Sequence, residues 1–248
     1  MTPALHCDFE TRSTLDLTEV GLWNYVRHPS TDVWCMAWAL NEAEPALICC
    51  NSNVMHWEAA LAHVESGGTV VAHNAAFELA VWNEIMVKRY GWPVLKPEQT
   101  VCTMAMSYAM GLPGSLADAA LALGVPVLKD EEGRALMLRM SRPRAYCKDG
   151  TPIWWNDPER LARLYAYCQQ DVRVEQAIYK RLMPLSDQER KVWLMDYAIN
   201  QCGIPVDLVT ARAGIKMAEE IKEHCDQRLG VVTGGAATSC GALSCSAA

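Results

Sequence analysis

Residues 4–10, ALHCDFE, alternate with a period of two. Ala4, His6, Asp8 and Glu10 fall on one face, and Leu5, Cys7 and Phe9 on the other. That period is a β-strand, and the D-x-E spacing sets both carboxylates on one face, ~6.6–6.8 Å apart along the chain. On an exposed strand face such a pair is ordinary. On a buried central strand, two like charges repel unless a cation lies between them. The neighbouring segments therefore decide what the pair can mean.

Those neighbours are apolar. VWCMAWAL (33–40) and PALICC (45–50) read as two further strands around a polar turn at Asn41–Glu44. A helix is expected from about Met55 to Val64, then a short buried strand in GGTVVAHN. AAFELAVWNEIMVKRYG follows, with Phe77, Val81, Ile85 and Tyr90 near helical spacing and Gly91 as its stop. Residues 100–123 are mostly helical in pattern, broken by GLPGS, where Ser115 can cap the next helix. The clearest helix lies in NDPERLARLYAYCQQDVRVEQAIYKRLMPL: Asp157 suits the N-cap, Pro158 and Glu159 the first turn, and Pro184 the stop. Three strands followed by strands alternating with helices indicate an α/β mixed sheet flanked by helices.

After Leu185 a new unit is expected. SDQE (186–189) is a capping box ahead of an amphipathic run, CGIPVD a turn or short strand, and LVTARAGIKMAEEIKEHCDQRL another helix. The segment from Gly230 is small and polar, and disorder is expected there. This divides the chain into 1–185, a helical extension 186–229, and a tail 230–248.

Composition narrows the classes. The chain has 248 residues, enough for one sizeable core plus an appendage. No apolar run approaches the ~18–20 residues that span a bilayer, and the N-terminus has no signal pattern; a cytoplasmic location and no membrane partner are expected. The 11 cysteines include no C-x-x-C pair and sit mostly in apolar runs, as Cys7, Cys35, Cys49 and Cys102 do. They read as reduced core residues. A net charge of −7 argues against holding nucleic acid by bulk charge, but not against an enzyme whose cations neutralise its own carboxylates. Locally, Lys129, Arg134, Arg139, Arg142, Arg144 and Lys148 form a basic stretch. It suits a phosphate backbone or, equally, a solvated loop.

Phosphodiester hydrolysis needs a water nucleophile near neutral pH and compensation of charge on phosphorus and leaving oxygen. Two hard cations ~3.5–4 Å apart supply both, and they prefer carboxylates brought from several rigid elements. Asp8 and Glu10 fit on the first strand. Tyr167 and Asp171, at i and i+4, project from one face of the long helix, and Glu78 in the first turns after His73 and Asn74 can add a third element. Taken singly each has a plainer reading. Tyr167 suits a half-buried aromatic beside a surface acid, Glu78 an acid at a helix dipole, and His73 a satisfied polar residue at a strand end. Glu175, one turn beyond Asp171, is expected to be solvated.

The order of the pieces carries more. D-x-E-T on the first strand, N-x-x-x-[acid] after a later one and Y-x-x-x-D on a late helix resemble the DEDD superfamily of 3′–5′ exonucleases, with the tyrosine spacing of its DEDDy branch. DFET, VAHNAAFE, GLPGSLADAA and YAYCQQDV, over roughly residues 1–185, resemble the proofreading domain of phage-type family A DNA polymerases. INQCGIPVD is similar to the link to their polymerase domain, and TGGAATSC to sequence beyond it. The resemblance implies a ribonuclease H-like five-stranded sheet with a C-terminal helical extension. It implies two divalent cations, Mg²⁺ or Mn²⁺, and DNA 3′ ends, single-stranded or frayed, in a phage or bacterial host cytoplasm, with a replication polymerase as a partner.

By the same resemblance Asp8 bridges both metals, Glu10 and Asp171 complete the first, Glu78 serves the second, and Tyr167 orients the attacking water. Thr11 contacts the terminal nucleotide and Asn74 positions the DNA end; Arg142 and Arg144 are the substrate-binding candidates of the basic stretch, from its charge and not from the resemblance. Two departures stand out: the third acid, usually aspartate, is Glu78, and no polymerase carboxylate motif follows, so no polymerisation is expected of this chain. The tail after Cys240 no longer resembles the family, as truncation or a frame change would produce. Two alternatives stay open, a 3′–5′ exoribonuclease and a non-catalytic fragment binding DNA ends or a polymerase. A nucleotide-cofactor enzyme or a zinc protease lacks its motif: neither G-x-G-x-x-G after a strand, nor G-x-x-x-x-G-K-[ST], nor H-E-x-x-H occurs.

Overall fold

In the computed structural model, which describes residues 3–49, 57–126 and 130–241, the N-terminal alternation becomes β1 (Ala4–Arg12). Short helices α1 (Leu17–Val20) and α2 (Leu22–Arg27) lead to β2 (Asp32–Leu40) and β3 (Ala46–Cys49). Next come α3 (Glu58–Glu65), β4 (Thr69–Ala72), α4 (Ala75–Val81), a π-helical stretch (Trp82–Val87), α5 (Lys88–Tyr90) and β5 (Thr100–Cys102). Then follow α6 (Thr103–Ala109), α7 (Leu116–Ala122), α8 (Glu131–Met140), a hairpin of β6 (Ala145–Tyr146) and β7 (Pro152–Ile153), and α9 (Pro158–Tyr179).

Strand order is β3-β2-β1-β4-β5. β1, β2 and β3 form an antiparallel meander, and β4 and β5 run parallel to β1. This is the mixed five-stranded sheet of the ribonuclease H-like arrangement, with β1 at its centre. One face of β1, carrying Leu5, Cys7 and Phe9, packs into a core with Met36, Leu79, Trp82 and Ile85. The other face meets α9, where Cys35, Ala37 and Ala39 of β2 pack on Cys168 and Val172.

Several expectations shift. The fifth strand falls at the start of the stretch read as mostly helical: β5 is three residues long and runs straight into α6, too short to show a period. The helix expected from Met55 begins at Glu58, and residues 50–56, with Cys50, lie outside the described residues. Within the helix leading to Gly91, the π-helical stretch adds residues to a turn. Val81 and Ile85 stay buried while Tyr90 is 41% exposed. The basic stretch is not a loop throughout. Its first half is helix α8, and Asp149–Gly150, with Gly150 at φ +84°, turns the β6–β7 hairpin. Lys129 lies outside the described residues.

The caps form as chemistry dictates. Asp157 accepts a hydrogen bond from Arg160 N at 3.0 Å. The SDQE box forms too, with Ser186 N donating to Glu189 Oε2 at 2.9 Å and Glu189 N to Ser186 Oγ at 3.3 Å, ahead of α10 (Asp187–Cys202). The chain divides into two compact units, 1–201 and 202–248. α10 thus lies almost wholly with the sheet, into whose core Tyr197 packs. The second unit holds α11 (Leu208–Val232), capped by Asp207. Beyond Gly230, Thr233 and Ala237 exchange hydrogen bonds in a turn, and residues 242–248 lie outside the described residues. Among the described residues no helix is long and apolar enough to cross a membrane.

Candidate metal centre

Three elements bring carboxylates together. β1 contributes Asp8 and Glu10 from its α9-facing side, and a β-bulge between Glu10 and Thr11 breaks the register with β2 directly beyond them. Bulges of this kind re-aim side chains at a sheet's working end. β4 pairs His6 with Val71 and ends one residue later, at Ala72. The chain therefore leaves the sheet level with Asp8. It turns through Asn74, at φ +66°, ψ +47°, a left-handed conformation that Asn tolerates better than most residues. Glu78 follows in the first turn of α4 and is 4% exposed. α9 brings Tyr167 and Asp171 on one face, four residues apart.

The charges of these groups act on one another. Asp8, Glu10 and Cys168 have ligand atoms within 4.8 Å of one another. Burial pushes the Asp8 carboxyl up to about 6, against a hydrogen bond from Cys168 that favours its charge. Burial, then Asp8, pushes Asp171 up to about 8. Glu10 is raised well above the carboxylate range by burial and by the charges of Asp8, Cys35, Asp171 and Glu78. Glu78 is raised by burial and by Asp8. The Tyr167 hydroxyl is held above its ordinary value by burial and by the charges of Asp171, Glu10 and Asp8.

Such a cluster is unfavourable by itself, since each buried carboxylate costs several kcal/mol and its neighbours have the same sign. The donor set fits hard divalent cations. It is oxygen-rich and drawn from separate rigid elements, and Glu78 Oε2 is buried with no hydrogen-bond partner among the described residues. Asp8 and Glu10, with the Cys168 thiol beside them, lie close enough to share an ion, and Glu78 and Asp171 could add carboxylates to them.

The other expected site residues are placed as follows. Thr11 is buried, its Oγ1 3.0 Å from the Tyr25 hydroxyl. Asn74 is exposed at the entrance to α4. Arg142 and Arg144 are exposed, and among the described residues neither forms an ion pair with Asp8, Glu10, Glu78 or Asp171. Arg142 pairs with Asp16, and Arg144 lies 5.4 Å above the Trp155 ring. His73 is a satisfied strand-end residue, hydrogen bonded to Thr103 Oγ1 at 3.1 Å and Gly114 O at 2.8 Å.

Glu175 departs from expectation. Rather than solvated, it is 3% exposed, with Oε2 2.5 Å from His6 Nδ1. The face of α9 that carries Tyr167 and Asp171 continues for another turn, and the i+4 step from Asp171 is the signal that points to it. Cys168 also escapes a reading of the sequence. Its Sγ lies 3.4 Å from Asp8 Oδ2, so this thiol orients a carboxylate instead of merely filling the core.

A cavity of about 650 Å³ opens beside Tyr167 and Asp171, lined from α7 and α8 by residues including Asp118, Glu131 and Arg134. Gly133 of α8 comes so close that a Cβ there would stand 2.5 Å from Tyr167 Cδ2. The start of α8 therefore packs directly on the tyrosine ring.

No family model matches the chain. Among solved structures, a family B DNA polymerase from the hyperthermophilic archaeon Pyrobaculum calidifontis aligns over 82% of this chain and 30% of its own, at 15% identity and a TM-score of 0.47. In sequence, 223 residues are 30% identical to a DNA polymerase of Bacillus phage SP02, covering 87% of this chain and 34% of that protein. The chain thus spans about a third of the length of that relative and is homologous to part of a phage DNA polymerase.

Proposed function

We propose that the chain is a metal-dependent 3′–5′ exonuclease of the DEDDy type that removes nucleotides from single-stranded or frayed DNA ends, as a family A proofreading domain does. What supports this reading is the pair Asp8 and Glu10, whose ligand atoms lie within 4.8 Å of each other, together with the unfavourable charge effects that link them to Glu78, Asp171 and the Tyr167 hydroxyl. Homology to part of a phage DNA polymerase supports DNA as the substrate and a replication polymerase as the partner.

Two divalent cations, Mg²⁺ or Mn²⁺, would supply a water nucleophile near neutral pH and offset charge on phosphorus and leaving oxygen. The chain's own residues do the rest. Tyr167, one helical turn from Asp171 on the same face of α9, would orient the attacking water through its hydroxyl. Thr11 and Asn74 flank the end of β1 and the start of α4, where a terminal nucleotide would seat. The cavity between α7, α8 and α9 offers the strand a path to Tyr167.

The direct test is incubation of the chain with 5′-labelled single-stranded DNA, with Mg²⁺ or with chelator. A metal-dependent ladder shortening from the 3′ end is expected. Intact DNA in every lane, from folded protein, would favour a non-catalytic fragment that binds DNA ends or a polymerase. Faster digestion of a matched RNA would favour an exoribonuclease.

Two variants test the finer roles. Tyr167→Phe removes one hydroxyl and should lower turnover ~10²-fold, in the range for loss of a single positioned hydrogen bond, with Mn²⁺ and DNA affinity nearly unchanged. An equal fall in binding would make the tyrosine structural. Replacing Arg142 and Arg144 together by Ala should weaken single-stranded DNA binding. It should also flatten the log–log salt dependence by about 0.7 for each phosphate no longer neutralised. An unaltered slope would return both residues to a solvated surface role.

A further inference from the structure

His6 and Glu175 are buried polar residues on the two elements that carry the candidate site, and neither belongs to the proposed ligand set. His6 Nδ1 lies 2.5 Å from Glu175 Oε2, and Tyr179 meets the His6 ring edge-on at 5.3 Å. His6 and Glu175 are each 3% exposed. His6, Asp8 and Glu10 advance along one face of β1, while Glu175, Asp171 and Tyr167 recede along one face of α9.

The two rows climb at nearly the same rate. Two strand residues advance ~6.6–6.8 Å, and four helical residues advance ~6 Å. The faces therefore meet as rungs: His6 contacts Glu175, Asp8 is the charge that acts most on Asp171, and the charge of Glu10 acts on Tyr167. Beside β1, the neighbouring strand β2 turns small side chains, Cys35, Ala37 and Ala39, toward Cys168 and Val172 of α9. Such a small-residue face allows close approach and by itself offers little to stop α9 sliding along the sheet, where Gln169 and Gln176 of α9 also reach backbone carbonyls of Pro45, Asn41 and Ala43.

Stability alone is a poor reason for the polar rung. A buried pair pays for desolvation, and apolar residues of similar volume often serve as well or better. Here Glu175 Oε1 is also buried without a hydrogen-bond partner among the described residues. We propose that His6 and Glu175 are a positioning pair, a closed rung that sets the register of α9 on β1 and so brings Asp171 and Tyr167 to Asp8 and Glu10. The role assigned to the pair rests on the metal-site reading above.

The test is Mn²⁺ affinity by titration calorimetry on the full chain at one pH, with the melting temperature read alongside. Glu175→Asp shortens the rung by one methylene, and the double change His6→Leu with Glu175→Leu replaces it by apolar contact. Both are expected to stay folded and to bind Mn²⁺ ~10–100-fold more weakly, the usual loss when an outer partner of a metal site is removed. Glu175→Gln still accepts from His6 and should bind Mn²⁺ like the native chain. Native affinity in either a folded Glu175→Asp or a folded double variant overturns the proposal, as does a folded Glu175→Gln as weak as the double variant. If the native chain binds no Mn²⁺, the metal site and the positioning role fall together. If it binds Mn²⁺ yet leaves DNA intact, the nuclease reading alone falls.

Discussion

Asp8→Ala is expected to lower Mg²⁺-dependent shortening of single-stranded DNA by on the order of 10³-fold or more, since it removes the carboxylate proposed to bridge two cations and with it their charge compensation. The same change should raise the melting temperature of the metal-free protein. Asp8 acts unfavourably on Glu10, Glu78 and Asp171 at once, so its removal relieves three buried carboxylates. In exchange the Cys168 thiol is deprived of its carboxylate acceptor, a small cost because a thiol is a weak donor. Loss of activity together with a gain in thermal stability is the signature of a site built against stability. Full metal-dependent cleavage by the variant would show that the centre is elsewhere. A falling melting temperature would show that Asp8 supports the fold.

The second large effect is a pH-dependent stabilisation by metal. In the unfolded chain Asp8 and Asp171 titrate near 3.9, whereas in the fold they are raised to about 6 and about 8. Glu10 and Glu78 shift the same way. A raised carboxyl binds its proton more tightly in the native state. Stability is therefore fully present below about pH 4 and is lost as pH rises through the folded values. In chelator, the melting temperature should fall from pH 5 to pH 8. Divalent cations displace these protons and bind the native state, so their benefit should grow over the same interval. At 100 times the dissociation constant, binding contributes about 2.7 kcal/mol, which for a chain of this size raises the melting temperature by roughly 5–10 °C. Differential scanning fluorimetry with Mn²⁺ and with chelator at pH 5, 6, 7 and 8 checks this. A pH-independent metal effect would mean that cations bind other groups.

The candidate site is legible in the sequence because its residues sit on elements with strong local signatures. The alternation around Asp8 and Glu10 and the capped, Pro-initiated helix bearing Tyr167 and Asp171 each place two functional groups on one face by their own period. The misread parts lack such a period. β5 has three residues, too few to alternate, and the hairpin at 145–153 is two residues per strand, marked only by its Asp–Gly turn. The π-helical stretch breaks the phase from Val81 to Tyr90 through a hydrogen-bond shift that residue spacing does not announce.

Glu175 shows the limit most clearly. By spacing it is one more acid along a helix, and local rules place it in water. Its burial depends on His6, 169 positions away, and Cys168 reaches Asp8 across 160. Periodicity along single elements is enough to put Asp8 with Glu10 and Tyr167 with Asp171 on common faces of a sheet flanked by helices, and only the order of the motifs along the chain singles them out together with Glu78. Which face of α9 lies on β1, at what register, and which polar groups are thereby driven out of water are decided only by the tertiary structure, because burial and charge coupling are properties of what packs across the sheet.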